Sequence, residues 1–193
     1  MKRKDYYFRK AKKENLRARS AFKLMEINNK YKIIKINDKV LDLGAWPGSW
    51  MQVASKIVKD DGYVLGVDTR KIEKIGENTK TLQLDITDKY IIDEIKAKIT
   101  KADVVLSDLA PNTSGNREID QYKSYELSNK AFRIAVKILK PHGNFICKVF
   151  DSDSADELIK VVKKKFVNVR VSVPRATRKG SKEIYIIAIN RKG

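Results

Sequence analysis

Cysteine and histidine are almost missing from this chain. Cys147 and His142 each stand alone, so neither an internal disulfide nor a Cys/His metal cluster can be assembled, and no metal is expected in the chemistry. Long apolar runs are missing too. Nothing approaches the roughly 20 residues that cross a bilayer, and Met1-Lys2-Arg3-Lys4 runs on into charge rather than into the apolar core of a secretion signal. A cytoplasmic location without a membrane partner is therefore expected. Repeats, low-complexity tracts and obvious linkers are also absent. One domain with at most a short extension is the simplest organisation of 193 residues.

Negative charge is scarce relative to positive. Forty-two Lys and Arg against twenty-four Asp and Glu leave a formal net charge of +18, which draws a polyanion in and releases its counterions on contact. Nucleic acid is the leading partner; an anionic membrane surface is the main competitor. The charge is dense from Lys2 to Arg19, where Tyr6, Tyr7 and Phe8 are interleaved, before the pattern turns amphipathic around Ala18, Ala21, Phe22 and Met25. This predicts a basic arm over 1–19 that leads into a helix, followed by a catalytic domain over 20–193. The arm could grip phosphates and stack bases on its aromatics. It could equally be a solvated tail whose aromatics pack on the domain.

Beyond the arm, short apolar runs alternate with helix-length amphipathic stretches. The runs are Val40-Leu43, Tyr63-Val67, Thr81-Leu84, Asp103-Leu106, Asn144-Val149, Asn168-Val173 and Ile184-Ile189. Stretches such as Trp50-Lys59, Lys89-Ile99, Tyr122-Leu139 and Ala155-Lys165 separate most of them, as parallel strands with crossover helices require. Only nine residues, Pro174 to Lys182, separate the last two runs. That is too short for a crossover helix, so the two are expected to form an antiparallel pair at one edge. The fold class is α/β: seven strands, mostly parallel, one reversed, with helices on both faces.

Two groups of residues carry possible chemistry. The first is the strand-turn-helix junction Val40-Leu41-Asp42-Leu43-Gly44-Ala45-Trp46-Pro47-Gly48, where an open α/β sheet binds an adenine-containing ligand and glycine lets the backbone approach it closely. The G-x-x-x-G spacing departs from the G-x-G-x-x-G of nicotinamide-dependent oxidoreductases. Asp68 closes the second strand, where a carboxylate can accept from both ribose hydroxyls, and Asp85 and Ile86 follow the third, near the adenine amino group. Gly44, Gly48, Asp68, Asp85 and Ile86 are thus candidates for cofactor binding. Each aspartate alone fits an N-cap or turn role as well.

The second group starts from Lys148, which interrupts the otherwise apolar Phe145-Ile146-Cys147-Lys148-Val149-Phe150, where an ammonium is costly to desolvate. Burial and nearby positive charge would favour its neutral, basic form, while a carboxylate would fix its geometry. The plainer alternative is a head group that emerges at the strand end and pairs with an acid. Asp108 ends the fourth strand beside the expected pocket and needs a cationic partner if buried. Glu183 begins the last strand and Lys23 sits on the leading helix; each by itself reads as an ordinary surface charge.

Five segments together resemble the RrmJ/FtsJ (RlmE) family of ribosomal RNA 2′-O-ribose methyltransferases: Ser20-Ala21-Phe22-Lys23-Leu24, Asp42-Leu43-Gly44-Ala45-Trp46-Pro47-Gly48-Ser49-Trp50, Ser107-Asp108-Leu109-Ala110-Pro111-Asn112, Cys147-Lys148-Val149-Phe150 and Arg178-Lys179-Gly180-Ser181-Lys182-Glu183-Ile184-Tyr185. The resemblance runs from about Ser20 to Asn190. It implies a Rossmann-like S-adenosylmethionine-dependent fold, a catalytic tetrad of Lys23, Asp108, Lys148 and Glu183, and cofactor contacts at Gly48, Trp50, Asp68, Asp85 and Asp108. Trp46 and Ser49 stand where smaller residues, commonly Ala and Gly, are expected. The implied reaction is methylation of a ribose 2′-hydroxyl, most readily of a uridine in 23S RNA within a large ribosomal subunit or its precursor. Lys148 would act as base, Asp108 would orient it, and Lys23 and Glu183 would position the hydroxyl; the activated methyl group needs no metal. RNA rather than DNA is the implied partner, with a monomer the default expectation. A transfer-RNA anticodon-loop ribose methyltransferase and a non-catalytic RNA-binding or ribosome-assembly module are the alternatives.

Overall fold

The computed structural model describes residues 3–193, so Met1 and Lys2 of the expected basic arm lie outside the described residues. Helix α1 (Arg3–Lys13) is followed by α2 (Ala21–Tyr31), β1 (Lys39–Leu43), α3 (Ser49–Val58), β2 (Tyr63–Asp68), β3 (Thr79–Gln83), α4 (Ile91–Lys98), β4 (Ala102–Ser107), α5 (Arg117–Ile138), β5 (Leu139–Phe150), α6 (Asp153–Lys165), β6 (Phe166–Ser172) and β7 (Glu183–Arg191). The strands form one sheet in the order β3-β2-β1-β4-β5-β7-β6. Pairs among β1 to β5 are parallel, and β7 runs antiparallel to both β5 and β6. The short link before β7 does produce an antiparallel pair at one edge. Within it the reversed strand is the inner member, set between β5 and the edge strand β6.

Two apolar layers clamp the sheet. Ile91, Ile95, Ala131, Ile138, Leu158 and Val162 bring α4, α5 and α6 onto one face. Ala11, Phe22, Leu24, Ile27, Met51 and Val53 bring α1, α2 and α3 onto the other. The strands alternate between these layers, with Leu41 and Leu43 facing the first and Val40 the second, as the two-residue period of a strand requires.

Three elements differ from the sequence expectation. The basic arm is helical, because Ala11 and Leu16 are buried and the Tyr7 ring lies 5.5 Å from that of Phe22, with Lys10 Nζ 4.9 Å above the Phe22 ring. Tyr6 and Phe8, at 51% and 54% exposure, face outward. Helix α5 begins five residues earlier than Tyr122. Its N-cap Asn116 accepts from Glu118 N and Ile119 N at 3.0 and 3.3 Å, and its first buried positions are the polar Asp120, Ser124 and Ser128. Strand β5 begins at Leu139 rather than Asn144, and its register with β4 shifts between Ala102 and Val104.

The polar face of α5 has a consequence for the site. Ser124 Oγ accepts from Phe150 N at 3.0 Å, and Ser128 Oγ lies 2.7 Å from the carbonyl oxygens of both Ser124 and Lys148. These buried hydroxyls fasten the end of β5 to the helix at the residue whose ammonium the sequence singles out.

Candidate active site

Antiparallel register brings the second group of residues together. On β5 and β7, Lys148 pairs with Tyr185 and Phe150 with Glu183. Glu183 and Tyr185, two residues apart, share a face of β7. Lys23 reaches the same point from α2, and Asp108 from the end of β4. Lys23 Nζ donates to Glu183 Oε1 at 2.5 Å and to Tyr185 Oη at 3.1 Å. Tyr185 Oη donates to Asp108 Oδ1 at 2.7 Å, and Lys148 Nζ donates to that same oxygen at 3.0 Å and to the Asp108 carbonyl at 2.7 Å. Glu183, Lys23, Tyr185, Asp108 and Lys148 form one continuous polar chain.

The geometry at Lys148 constrains its chemistry. A neutral amine that donates its two N–H bonds to the Asp108 carbonyl and carboxylate has its lone pair in the remaining tetrahedral direction. Lys148, Lys23 and Glu183 line a cavity of about 330 Å³ together with Arg19, Ser20, Ala110, Pro111 and Arg178. A hydroxyl bound there could pass its proton to the amine. Tyr185 is fully buried, and burial first, then the charges of Asp108 and Glu183, push its phenol well above its ordinary 10.0. It therefore remains a hydrogen-bond donor to Asp108.

The first group of residues lines a second cleft, of about 490 Å³, formed by Gly44, Asp68, Arg70, Asp85, Ile86 and Leu109 among others. That size suits a nucleotide-like ligand. Leu109 to Asn112 form part of this cleft, and Ala110 and Pro111 also line the first cavity, so the two spaces share a wall. Gly44 has a φ of 75°, and a Cβ on it would meet Leu109 Cδ2 at 2.4 Å. The missing Cβ is what lets Leu109 close on the turn at the edge of the cleft, and the positive φ favours glycine there. Asp68 Oδ2 accepts from Trp46 N at 3.0 Å and Oδ1 from Arg70 N at 2.9 Å, which orients the carboxylate. Asp85 Oδ1 accepts from Thr87 N and Oγ1 at 2.7 and 2.8 Å, and the backbone bond, followed by the hydroxyl, holds Asp85 below the ordinary carboxylate value. The turn role anticipated as an alternative is realised there, on a residue that also lines the cleft.

Gly48 and Trp50 do not line either space. Gly48 N-caps α3 with a φ of 100°, and a Cβ there would meet Arg17 Nη1 and Ile75 Cδ1 at 2.8 Å. Trp50 is buried behind the site, with Nε1 donating to Ser20 O at 2.9 Å and its ring 5.9 Å from that of Tyr185. Ser49 Oγ lies 2.7 Å from Ser20 Oγ. Ser20 opens the helix that carries Lys23, so the start of α3 is tied to that helix by two hydrogen bonds, from Ser49 and from Trp50. Sequence reasoning missed Tyr185, although its two-residue spacing from Glu183 was the available signal. It also missed Ser20, whose partners lie in a distant segment.

Asp42 is the remaining acidic group. It is fully buried, neither carboxylate oxygen has a hydrogen-bond partner, and burial first, then Asp108 and Asp68, raise it well above the ordinary 3.8. Among the described residues no group of three His, Cys, Asp or Glu side chains could hold a metal ion, and no helix is long and apolar enough to cross a membrane.

Comparison with known proteins finds relatives over nearly the whole chain. The family model for FtsJ-like methyltransferases matches residues 16–191. The ribosomal RNA large subunit methyltransferase E of Methanothrix thermoacetophila is 46% identical over 185 residues, covering 95% of this chain and 71% of that one. Its namesake from Methanothermobacter thermautotrophicus is 42% identical over 194 residues, covering 100% and 92%. A crystal structure described as a ribosomal RNA methyltransferase from Plasmodium falciparum superposes with a TM-score of 0.81 at 29% identity, over 92% of this chain and 99% of that one.

The buried Asp42 yields a pH prediction. The folded state keeps the Asp42 proton to a higher pH than the unfolded chain does, so between 3.8 and the folded-state value it binds more protons and loses stability as pH rises. Asp42→Asn removes that loss. Denaturant unfolding of both proteins from pH 4 upward is expected to show the variant gaining on the parent as pH increases; parallel curves would refute the assignment.

Proposed function

The chain belongs to the FtsJ-like methyltransferase family, and from that premise we propose that it transfers a methyl group from S-adenosylmethionine to a ribose 2′-hydroxyl of large-subunit ribosomal RNA. The observation that carries the reading is the polar chain from Glu183 to Lys148, set across a shared wall from a cleft lined by Gly44, Asp68 and Asp85. The relatives named as ribosomal RNA large subunit methyltransferase E support ribosomal RNA as substrate, with a uridine of 23S RNA the specific target we assign. We retain the division into a basic arm over 1–19 and a catalytic domain over 20–193. A monomer working on RNA in the cytoplasm, on neither DNA nor membrane, completes the proposal.

The donor residues fit a nucleoside. Asp68 could accept from ribose hydroxyls, Asp85 and Ile86 would flank the adenine end, and Gly44 would lie against the donor; Gly48 and Trp50 support the turn, and Asp108 would adjoin the methyl end. The donor supplies a methyl group already activated on a positively charged sulfur. Lys148 acts in its neutral form: having released one ammonium proton to solvent, it takes the hydroxyl proton on Nζ as the ribose oxygen acquires the methyl group. Asp108 fixes the direction of the Lys148 lone pair and balances the charge that forms on it. Lys23, anchored by Glu183 and Tyr185, holds the hydroxyl in line; positioning of this kind is worth several orders of magnitude in rate.

Lys148→Ala tests the base directly. Transfer to total RNA is expected to fall by about 100-fold or more, the scale of a lost general base, while calorimetry finds donor affinity within about twofold of the parent. Mapping 2′-O-methyl groups with the parent enzyme should place the product in large-subunit RNA. Normal turnover by the folded variant would remove Lys148 from the mechanism, and a product in transfer RNA would redirect the substrate.

The arm provides a second test. Lys10, Lys12 and Lys13 occupy the last turn of α1 beside the outward-facing Tyr6 and Phe8. Changing the three lysines to Gln should weaken RNA binding and reduce the slope of log affinity against log salt by about 2, at roughly 0.7 per lost phosphate contact. An unchanged slope would take the arm off the RNA track.

A further inference from the structure

Trp46 departs from the small residue expected in the glycine turn, and the fold gives its side chain a specific neighbour. The indole is 45% exposed, and the guanidinium of Arg70 lies over it, 3.7 Å from the ring centroid. Arg70 lines the nucleoside cleft whereas Trp46 does not, so the indole supports the guanidinium from outside. Both residues also grip Asp68 through their backbone amides.

A structural ion pair explains this arrangement poorly. Arg70 Nε stands 3.6 Å from Asp68 Oδ1, near enough for charge attraction but beyond hydrogen-bond range. Among the described residues the Arg70 side chain makes no hydrogen bond, so its planar set of donors is unspent. An arginine at 61% side-chain exposure ordinarily keeps wide rotamer freedom. Stacking on Trp46 restricts it, as Lys could not be restricted, since the flat guanidinium matches an aromatic face.

We propose that Arg70, pinned against Trp46, is a further binding residue for the methyl donor, donating to acceptor oxygens or nitrogens of the donor's nucleoside beside Asp68. The inference rests on the donor reading given above and deepens it. Trp46 is a positioning residue in this scheme. It acts only by holding the guanidinium at the cleft, so its own effect is smaller than that of Arg70 and a phenyl ring can replace it.

Calorimetric titration of the whole protein, without RNA, with S-adenosylmethionine and with its demethylated product tests this. Arg70→Ala should weaken both ligands by about tenfold, the scale of a hydrogen bond to a charged group, and by the same factor, because their nucleosides are identical. Arg70→Lys should lose most of that affinity. Trp46→Ala should lose about threefold, and Trp46→Phe should stay within about twofold of the parent. Unchanged affinity in Arg70→Ala overturns the proposal, as does a loss confined to one ligand, or a loss of RNA affinity with donor affinity intact, which would make Arg70 a phosphate contact. Asp68→Ala keeps the two levels apart. If that variant loses the donor while Arg70→Ala does not, only the role of Arg70 falls; if the parent protein binds neither ligand, the donor reading and this inference fall together.

Discussion

Lys148 carries an ammonium group into an interior strand, and Asp108 is the carboxylate that answers it, with Nζ 3.0 Å from Oδ1. Desolvating both charges costs several kcal/mol each, and their attraction recovers that only when the geometry is good and the remaining donors are satisfied. A well-packed apolar pair at this position would serve stability as well or better. Once the pair exists, however, losing one partner typically costs about 3–5 kcal/mol, because the other is stranded. Its surroundings are accordingly over-determined: the Asp108 carbonyl takes a second bond from Lys148, Tyr185 takes up the same carboxylate, and Lys23 ties Tyr185 to Glu183. The pair is best understood as geometry maintained at the expense of stability.

That requirement accounts for features of the fold with no other evident cause. Helix α5 buries Asp120, Ser124 and Ser128 where apolar residues would pack more favourably. Two of these fix the backbone of β5 at Lys148 and Phe150. Insertion of β7 between β5 and β6 has a similar effect, since only a strand running antiparallel beside β5 sets Tyr185 opposite Lys148 and Glu183 opposite Phe150. A parallel neighbour reached by a crossover helix would point its first residues toward the other end of the sheet.

Strand count, direction and the two clamped faces were legible in the sequence because apolar burial imposes its period on every core segment. The boundaries that shifted are those where burial is polar or local. The first turns of α5 carry no apolar stripe because their buried face makes hydrogen bonds, and α1 is held through Tyr7, Lys10 and Ala11 in a strongly basic run. The four positions of the proposed tetrad could be named from segment resemblance, yet their mutual distances depend on register, which no single segment encodes. Tyr185 is the instructive case. Its role exists only because Asp108 and Lys23 arrive on either side of one hydroxyl; the two-residue spacing from Glu183 gives its face of β7 but not those partners.

Charge is partitioned as well as abundant. A chain with a formal net charge of +18 nonetheless sets Asp68, Asp85, Asp108 and Glu183 about the two adjoining spaces, where the parallel strands end. The Lys- and Arg-rich surface suits a polyanion, which long-range attraction can guide in and salt can loosen. The methyl donor proposed above would carry positive charge on sulfur and would be repelled by that same field if the basic residues continued inward. Carboxylates in a low-dielectric setting act strongly over short distances while the outer lysines are screened by solvent. Attraction for an anionic substrate outside and for a cationic donor inside can therefore coexist in one small domain. Asp42, unpartnered and raised first by burial and then by Asp108 and Asp68, keeps its proton behind that centre and so adds no charge of its own to it.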